Sequence, residues 1–390
     1  MDHRSKKLLA AFAMFVLAMA AFGRLVPDRF PGLAAAEAPS AGDRAQAAGT
    51  ATGHALANET RTAGARTGES RMQGIWTDGA WTDLLAEAER LRIPPVNARV
   101  DKVWRAIPGY NGLEVDLDRT LARLMENPRV TEIPFAFREV EPEIKLADLP
   151  PEPIYKGNPD KPMVSFMVNV AWGNEHLPDL LRVLREEGVK TTFFLDGTWL
   201  ENNRDLARAI LEDGHELSNH GYSHKMMSRL GEAEALEEIR KTQALLAELG
   251  VDNRLFAPPA GDFDAETVRL ARREGLYTIL WTLDTVDWKK PEPAFVIRKI
   301  KSRLEPGSLV LMHPTEAAVQ SLPALIRHAR ERGFAVGTVS ELIDEKRIRT
   351  DADPVKWAED LQNRPGGRMI HLSVRMNGGP VERTDACGSG

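Results

Sequence analysis

From Met163 onward the chain alternates short apolar runs with amphipathic stretches, and few folds accommodate that alternation. Met163–Val170 has the pattern of a buried strand and Pro178–Glu187 that of an amphipathic helix. Thr191–Leu195 predicts a strand, Arg204–Leu211 a helix, His215–Ser218 a strand and Glu232–Leu249 a long helix. Leu255 and Phe256 open a short strand that Pro258-Pro259 ends. A helix at Ala265–Arg273, a strand at Tyr277–Leu283, a helix at Ala294–Leu304 and a strand at Ser308–Met312 follow. A helix at Ala318–Arg332 and a strand at Ala335–Val339 complete the series. Gly188, Gly214, Gly250 and Gly333 stand where helices have to stop. Such an alternation implies parallel strands joined by helical crossovers, and both a barrel and an open doubly wound sheet satisfy it. No glycine-rich phosphate loop follows the first strand, which argues against a nucleotide-binding version.

Sites in parallel α/β folds collect at the carboxyl ends of the strands. Those ends read Ala171-Trp172-Gly173, then His220 with His224, then Ala257-Pro258-Pro259-Ala260-Gly261. Asp284-Thr285-Val286-Asp287-Trp288 and Leu311-Met312-His313 follow. His220 and His224 lie four residues apart, so both imidazoles can point one way and form half of a zinc site. With nine histidines in 390 residues that spacing says little by itself. Polar and aromatic residues accumulating at several strand ends say more, because they are distant in sequence and converge only in such a fold.

The remaining composition sets limits. At 43% hydrophobic residues the chain can bury a large core. A net charge of −6 provides no basic footprint, so no nucleic acid is expected as a partner. The single cysteine, Cys387, excludes internal disulfides and any zinc site built on several thiolates. Arg4, Lys6 and Lys7 precede an uncharged, mostly apolar run, Leu8–Gly23, so residues 1–26 are expected to be a signal peptide or a membrane anchor. Either places the rest of the chain outside the cytoplasm, secreted or anchored. Residues 27–75, rich in Ala, Gly, Thr and Ser, predict a flexible linker. Residues 76–160 predict a small extension. Its helical period begins at Trp81–Leu91 and continues over Val96–Met125, and a proline-studded lead-in follows. Residues 161–345 form the main domain, and 346–390 predict a mostly disordered tail.

The strand ends resemble the polysaccharide deacetylase family, the NodB-homology domain of carbohydrate esterase family four. The resemblance covers about Lys161–Ile343, nearly half the chain. It rests on Asn219-His220 with His224, on Asp284-Thr285-Val286-Asp287-Trp288 and on Leu311-Met312-His313. Thr192-Phe193-Phe194 after Gly188-Val189-Lys190 adds to it. The motif Asn169-Val170-Ala171-Trp172-Gly173, together with Ile107-Pro108-Gly109-Tyr110-Asn111-Gly112, looks like a divergent sporulation-associated (YlxY-like) branch. The resemblance implies a distorted (β/α) barrel of seven or eight strands. It implies a divalent metal, usually zinc, on His220 and His224, with His313 as the acid that protonates the leaving amine and Asp287 tuning it. Trp288 and Leu311 match apolar walls around the acetyl methyl. The implied partner is an N-acetylated cell-wall or spore-cortex glycan, and the implied reaction is hydrolysis of a carbon–nitrogen bond other than a peptide bond.

The first motif departs from the family's Thr-Phe-Asp-Asp-Gly. Ala171 stands for the base and Trp172 for the metal aspartate, while Ala257 stands for the arginine that orients the base. Trp172 is expected either to fill the vacated space or to line a sugar groove. Glu175, His176 or Asp284 could supply a replacement carboxylate or ligand. The expectation is therefore a deacetylase-like protein with a degenerate site and a weakly held or absent metal, or a non-catalytic glycan-binding or scaffolding protein that keeps the fold.

Overall fold

The computed structural model describes residues 78–126 and 133–348. The expected signal or anchor (1–26), the linker (27–75) and the tail from 349 lie outside the described residues. Among the described residues no helix is long and apolar enough to cross a membrane.

The first part of the described chain consists of α1 (Asp78–Arg90), β1 (Arg99–Asp101), β2 (Arg105–Ile107), β3 (Gly112–Val115), α2 (Leu117–Glu126) and β4 (Phe137–Val140). β1 pairs antiparallel with β2, and β3 with β4. The helical period expected to continue over Val96–Met125 is thus confined to α2, and two short ribbons occupy the rest. The turn-forming stretch from Pro108 to Gly112 reverses the chain before any helix can propagate. Leu84, Leu91, Val115, Leu121, Leu124 and Phe135 form a small core of their own.

The main part runs β5 (Met163–Val170), α3 (Leu177–Glu186), β6 (Thr192–Leu195), α4 (Gly197–Asn202), α5 (Arg204–Glu212), β7 (Glu216–Asn219), α6 (Glu232–Glu248), β8 (Leu255–Phe256), α7 (Ala265–Arg273) and β9 (Tyr277–Thr278). It continues β10 (Leu283–Asp284), α8 (Pro293–Lys301), β11 (Leu309–Met312), α9 (Glu316–Glu331), β12 (Ala335–Val336) and α10 (Val339–Ile343). The predicted strand to Val339 is cut short because Thr338 caps α10, its hydroxyl accepting from the Glu341 amide.

The sheet has eight strands, ordered β10-β11-β5-β6-β7-β8-β9, with β12 added to the start of β5, and every pair is parallel. It curls without closing, so the barrel expected from the resemblance is an open one. The stretch predicted as one strand, Tyr277–Leu283, is two short strands, β9 and β10, that do not pair with each other. The proline-studded lead-in enters this gap. Ile154 donates to the Thr278 carbonyl and accepts from the Leu280 amide, both at 2.8 Å, and Lys156 bridges to Ser308. A segment outside the strand–helix series therefore satisfies backbone groups that a closed barrel would pair.

All eight residues of β5 are buried, the signature of a parallel strand covered on both faces. Val164, Phe166, Val168 and Val170 face the helices in the larger core. Met163 and Met167 face inward with Phe194, Leu255, Ala257, Leu309 and Leu311. The disordered tail was expected to begin at 346, yet Arg347 docks. Arg347 lies 4.6 Å from the Tyr110 ring and donates to the Asn111 carbonyl.

His215, 3% exposed, precedes β7 and sits against Phe193. Its Nδ1 accepts from the Thr191 amide at 3.2 Å, which requires a neutral ring. Burial pushes its pKa down to about 4 from 6.5, Lys190 adding to the effect. A depressed folded value means the unfolded chain takes up the proton first. The stability from neutral His215 is full above pH 6.5 and is lost as pH falls toward 4, amounting to about 3 kcal/mol. His215→Leu should flatten the fall in urea midpoint between pH 7 and pH 4.5. An unchanged fall would refute this assignment.

Candidate functional site

Strand alternation decides which side chains meet. Inward residues of β5, β6, β7, β8 and β11 continue, at their carboxyl ends, into Ala171, Asp196, His220, Ala257 and His313. The register brings together what the sequence scatters over more than a hundred residues. Ala171 and Trp172 follow the end of β5, so neither of these positions carries a carboxylate.

His220 is 2% exposed. Its Nδ1 lies 2.7 Å from the Ala257 carbonyl, so Nδ1 carries the proton and Nε2 keeps a lone pair. Burial pushes its pKa down to about 3, with His224 reinforcing the shift. The His224 ring stands edge-on at 5.3 Å between centroids, on a residue in the left-handed region at φ 53°. Glu238, 5% exposed on α6, holds the loop between them. It accepts from the amides of Tyr222 (3.0 Å) and Ser223 (2.7 Å) and from the Ser223 hydroxyl (2.6 Å). Thr242 donates to the Gly221 carbonyl at 2.7 Å. The protein alone thus holds the histidine pair in place. Sequence reasoning missed Glu238, because nothing in the helical pattern of α6 marks one inward glutamate among its exposed ones.

It also missed Asp196, although the strand-end rule applied to Thr192–Leu195 would have found it. One oxygen caps α4, accepting from the Trp199 amide at 3.0 Å and the Thr198 hydroxyl at 2.5 Å. Its Oδ2 is buried and has no partner among the described residues. Burial raises its pKa above the usual aspartate value, against the opposing hydrogen bonds.

On the other side, Asp287 is fully buried and accepts from His313 twice, at the backbone amide (2.7 Å) and at Nδ1 (2.8 Å). The Thr315 hydroxyl adds a longer contact at 3.3 Å. The turn that carries Asp287 and Trp288 is bracketed by Val286 and Lys290, both at positive φ (58° and 53°), and such strain concentrates at functional sites. With Nδ1 held by Asp287, Nε2 is the free nitrogen of His313. Trp172 stacks on that imidazole, centroids 5.8 Å apart and planes 7° from parallel. Gly173 makes this approach possible. Its φ is +88°, and a Cβ there would lie 2.2 Å from the Pro314 carbonyl oxygen.

Trp172 and Trp288, 46% and 49% exposed, line a cavity of about 440 Å³ together with Asp287 and Thr315. Leu311, expected as an apolar wall, is 3% exposed in the inner core and does not line it. Glu175 and His176 reach the cavity rim, whereas the Asp284 carboxylate accepts from the Val286 amide at 2.7 Å and shapes the turn.

A divalent metal fits this donor set only in part. The neutral, oriented His220 and the adjacent His224 suit one. At the third position Trp172 offers an indole, and among the described residues no three His, Cys, Asp or Glu side chains come together to hold a metal. Glu175, His176 and Asp284 do not repair the set.

Comparison with known proteins follows the same line. The sequence profile of the polysaccharide deacetylase family matches residues 156–279. The uncharacterized protein YlxY of Bacillus subtilis is 43% identical over 272 residues, 70% of this chain and 85% of that protein. The chain belongs to the polysaccharide deacetylase family. A peptidoglycan-N-acetylglucosamine deacetylase of Bacillus cereus is 28% identical over 181 residues, 45% of this chain and 66% of that protein. The wild-type crystal structure of BA3943 from Bacillus anthracis, a CE4 family pseudoenzyme, superposes with a TM-score of 0.63 at 40% identity. That match covers 68% of this chain and 95% of the other. A BA3943 mutant with restored enzymatic activity matches at a TM-score of 0.63 and 39% identity, covering 68% of this chain and 98% of the other. In this chain the polysaccharide deacetylase fold holds His313 through Asp287 and places Ala171 and Trp172 just past the end of β5.

Proposed function

We propose that this protein is a deacetylase-like glycan-binding protein of the bacterial cell envelope. Its groove takes N-acetylated cell-wall or spore-cortex glycan, and its catalytic turnover is residual or absent. One observation carries the reading: Trp172 stands where the family places an aspartate, stacked on His313, with Ala171 beside it. An indole half exposed at a strand end presents a flat apolar face, suited to the C–H face of a pyranose. The residues present bind and orient. Asp287 fixes the tautomer of His313, Glu238 fixes the histidine loop, and Trp172 and Trp288 wall the groove. No carboxylate stands at position 171 or 172 to take the place of the lost base.

The intact His313–Asp287 pair and the free Nε2 of His220 favour a second reading, slow deacetylation. The two separate when the full chain is incubated with N-acetylglucosamine oligomers, with and without added Zn²⁺. Binding without acetate release supports the first reading. Acetate release abolished by His220→Ala supports the second. For Trp172→Ala, glycan affinity measured by calorimetry should fall about tenfold or more, as expected for an aromatic anchor. Unchanged affinity would remove Trp172 from the groove.

We place this activity outside the cytoplasm, secreted or tethered through residues 1–26, because Arg4, Lys6 and Lys7 precede the apolar run Leu8–Gly23. A role in sporulation accords with the Ile107–Gly112 block. Fractionation of the host cell tests the location, and recovery of the protein in the cytosol would overturn it.

A further inference from the structure

One carboxylate in the inward row at the strand ends has no counter-charge. Val170 pairs with Leu195 and Leu195 with Asn219, so the next residues, Ala171, Asp196 and His220, lie side by side on one level of the sheet. The rungs continue past the strands. His220 donates to the Leu195 carbonyl at 3.0 Å, Gly197 to the Gly221 carbonyl at 2.9 Å and Thr198 to the Tyr222 carbonyl at 2.8 Å. Backbone hydrogen bonds alone thus fix Asp196 against the histidine loop.

Asp196 is 2% exposed. One oxygen is taken up in capping α4, whereas Oδ2 is buried and has no partner among the described residues. Capping needs a single acceptor, which an asparagine would supply as well. A second, charged oxygen shut off from water is costly unless a cation or a donor meets it. No lysine or arginine does so among the described residues, and the ionisable neighbour that acts on its charge is His224. Beside it, His220 keeps its Nε2 lone pair free, because the Ala257 carbonyl holds Nδ1–H. Two neutral imidazoles leave the charge of a dication uncompensated, and a carboxylate in the same water-poor site offsets part of it. Asp196, His220 and His224 do not gather around one point as three ligands.

We infer that Asp196 is the charge partner of a divalent cation held by His220 and His224, acting across a gap and not as a ligand. It keeps a negative charge one strand over from Ala171, in a site that has no carboxylate at 171 or 172. This role goes beyond glycan binding and requires no turnover. Carboxylates beyond the ligands themselves contribute ~10–100-fold to metal affinity.

The test measures Zn²⁺ affinity of the full chain by competition with a chromophoric chelator, in wild type and in Trp172→Asp, which adds a third ligand. Asp196→Asn keeps the capping acceptor and the shape and removes the charge. Expected is a ~10–100-fold loss of Zn²⁺ affinity in each background that binds the ion, with an unchanged circular dichroism spectrum. Asp196→Ser, a second uncharged cap, should give the same loss. In a His220→Ala chain, Asp196→Asn should change nothing further. Unchanged Zn²⁺ affinity in both cap variants overturns the inference and leaves Asp196 as a cap only. A loss of equal size in the His220→Ala chain overturns it too, because the ion would then sit elsewhere. So does the absence of Zn²⁺ binding from both wild type and Trp172→Asp. Titration of metal-free wild type with N-acetylglucosamine oligomers decides the glycan-binding reading separately.

Discussion

Restoring aspartates at positions 171 and 172 should return metal binding and acetate release to this protein. Trp172→Asp supplies a third ligand beside His220 and His224, and Ala171→Asp supplies a base on the inner layer. Going from two imidazoles to a three-ligand set is expected to tighten Zn²⁺ binding at least ~100-fold, because three protein ligands with an open position make a working zinc site. General-base catalysis is worth ~10²–10⁴-fold, so acetate release from N-acetylglucosamine oligomers should rise by about that factor over wild type. The gain should be partial, because Ala257 leaves the carboxylate introduced by Ala171→Asp without the arginine that orients the base in the family. Ala257→Arg, added third, should raise the rate again. The BA3943 mutant with restored enzymatic activity, 39% identical to this chain, makes the outcome reasonable. A double variant that binds Zn²⁺ tightly and releases no acetate above wild type would show that the defect lies elsewhere.

Removing the Asp287 carboxylate is expected to cost about 3 kcal/mol or more of stability, since each unsatisfied buried group costs roughly 1–3 kcal/mol. The side chain is fully buried and satisfies the His313 amide and Nδ1 as well as the Thr315 hydroxyl. Asp287→Ala orphans these donors in a dry site. Asp287→Asn keeps the shape and one acceptor oxygen, so it should cost less and still disturb the His313 tautomer. Urea denaturation followed by tryptophan fluorescence measures both. A loss under ~1 kcal/mol for Asp287→Ala would mean that water or a rearranged turn takes over these donors.

The sequence determined the main alternation of strands and helices from Met163, because buried strands and amphipathic helices leave different periods and glycine marks where helices stop, but it did not separate β9 from β10 or mark the short α4 and α10. The resemblance, carried over residue by residue, set Ala171, Trp172 and Ala257 against the family's base, metal aspartate and orienting arginine, and that match needs no coordinates. Tertiary structure decided the rest. The open edge between β9 and β10 and its filling by Ile154 and Lys156 depend on pairing between distant segments, which local periodicity does not encode. Glu238 became visible only through burial and hydrogen bonding, because one inward polar residue on a helix leaves no period, whereas Asp196 was open to the strand-end rule and only its unpartnered oxygen needed the structure. The stacking of Trp172 on His313 needed the close approach of Gly173 to Pro314, a contact between residues 141 positions apart. Sequence could offer Trp172 as filler or as a groove wall. Its half-exposed face beside His313 supports the second, because an indole packed only to fill space would be buried.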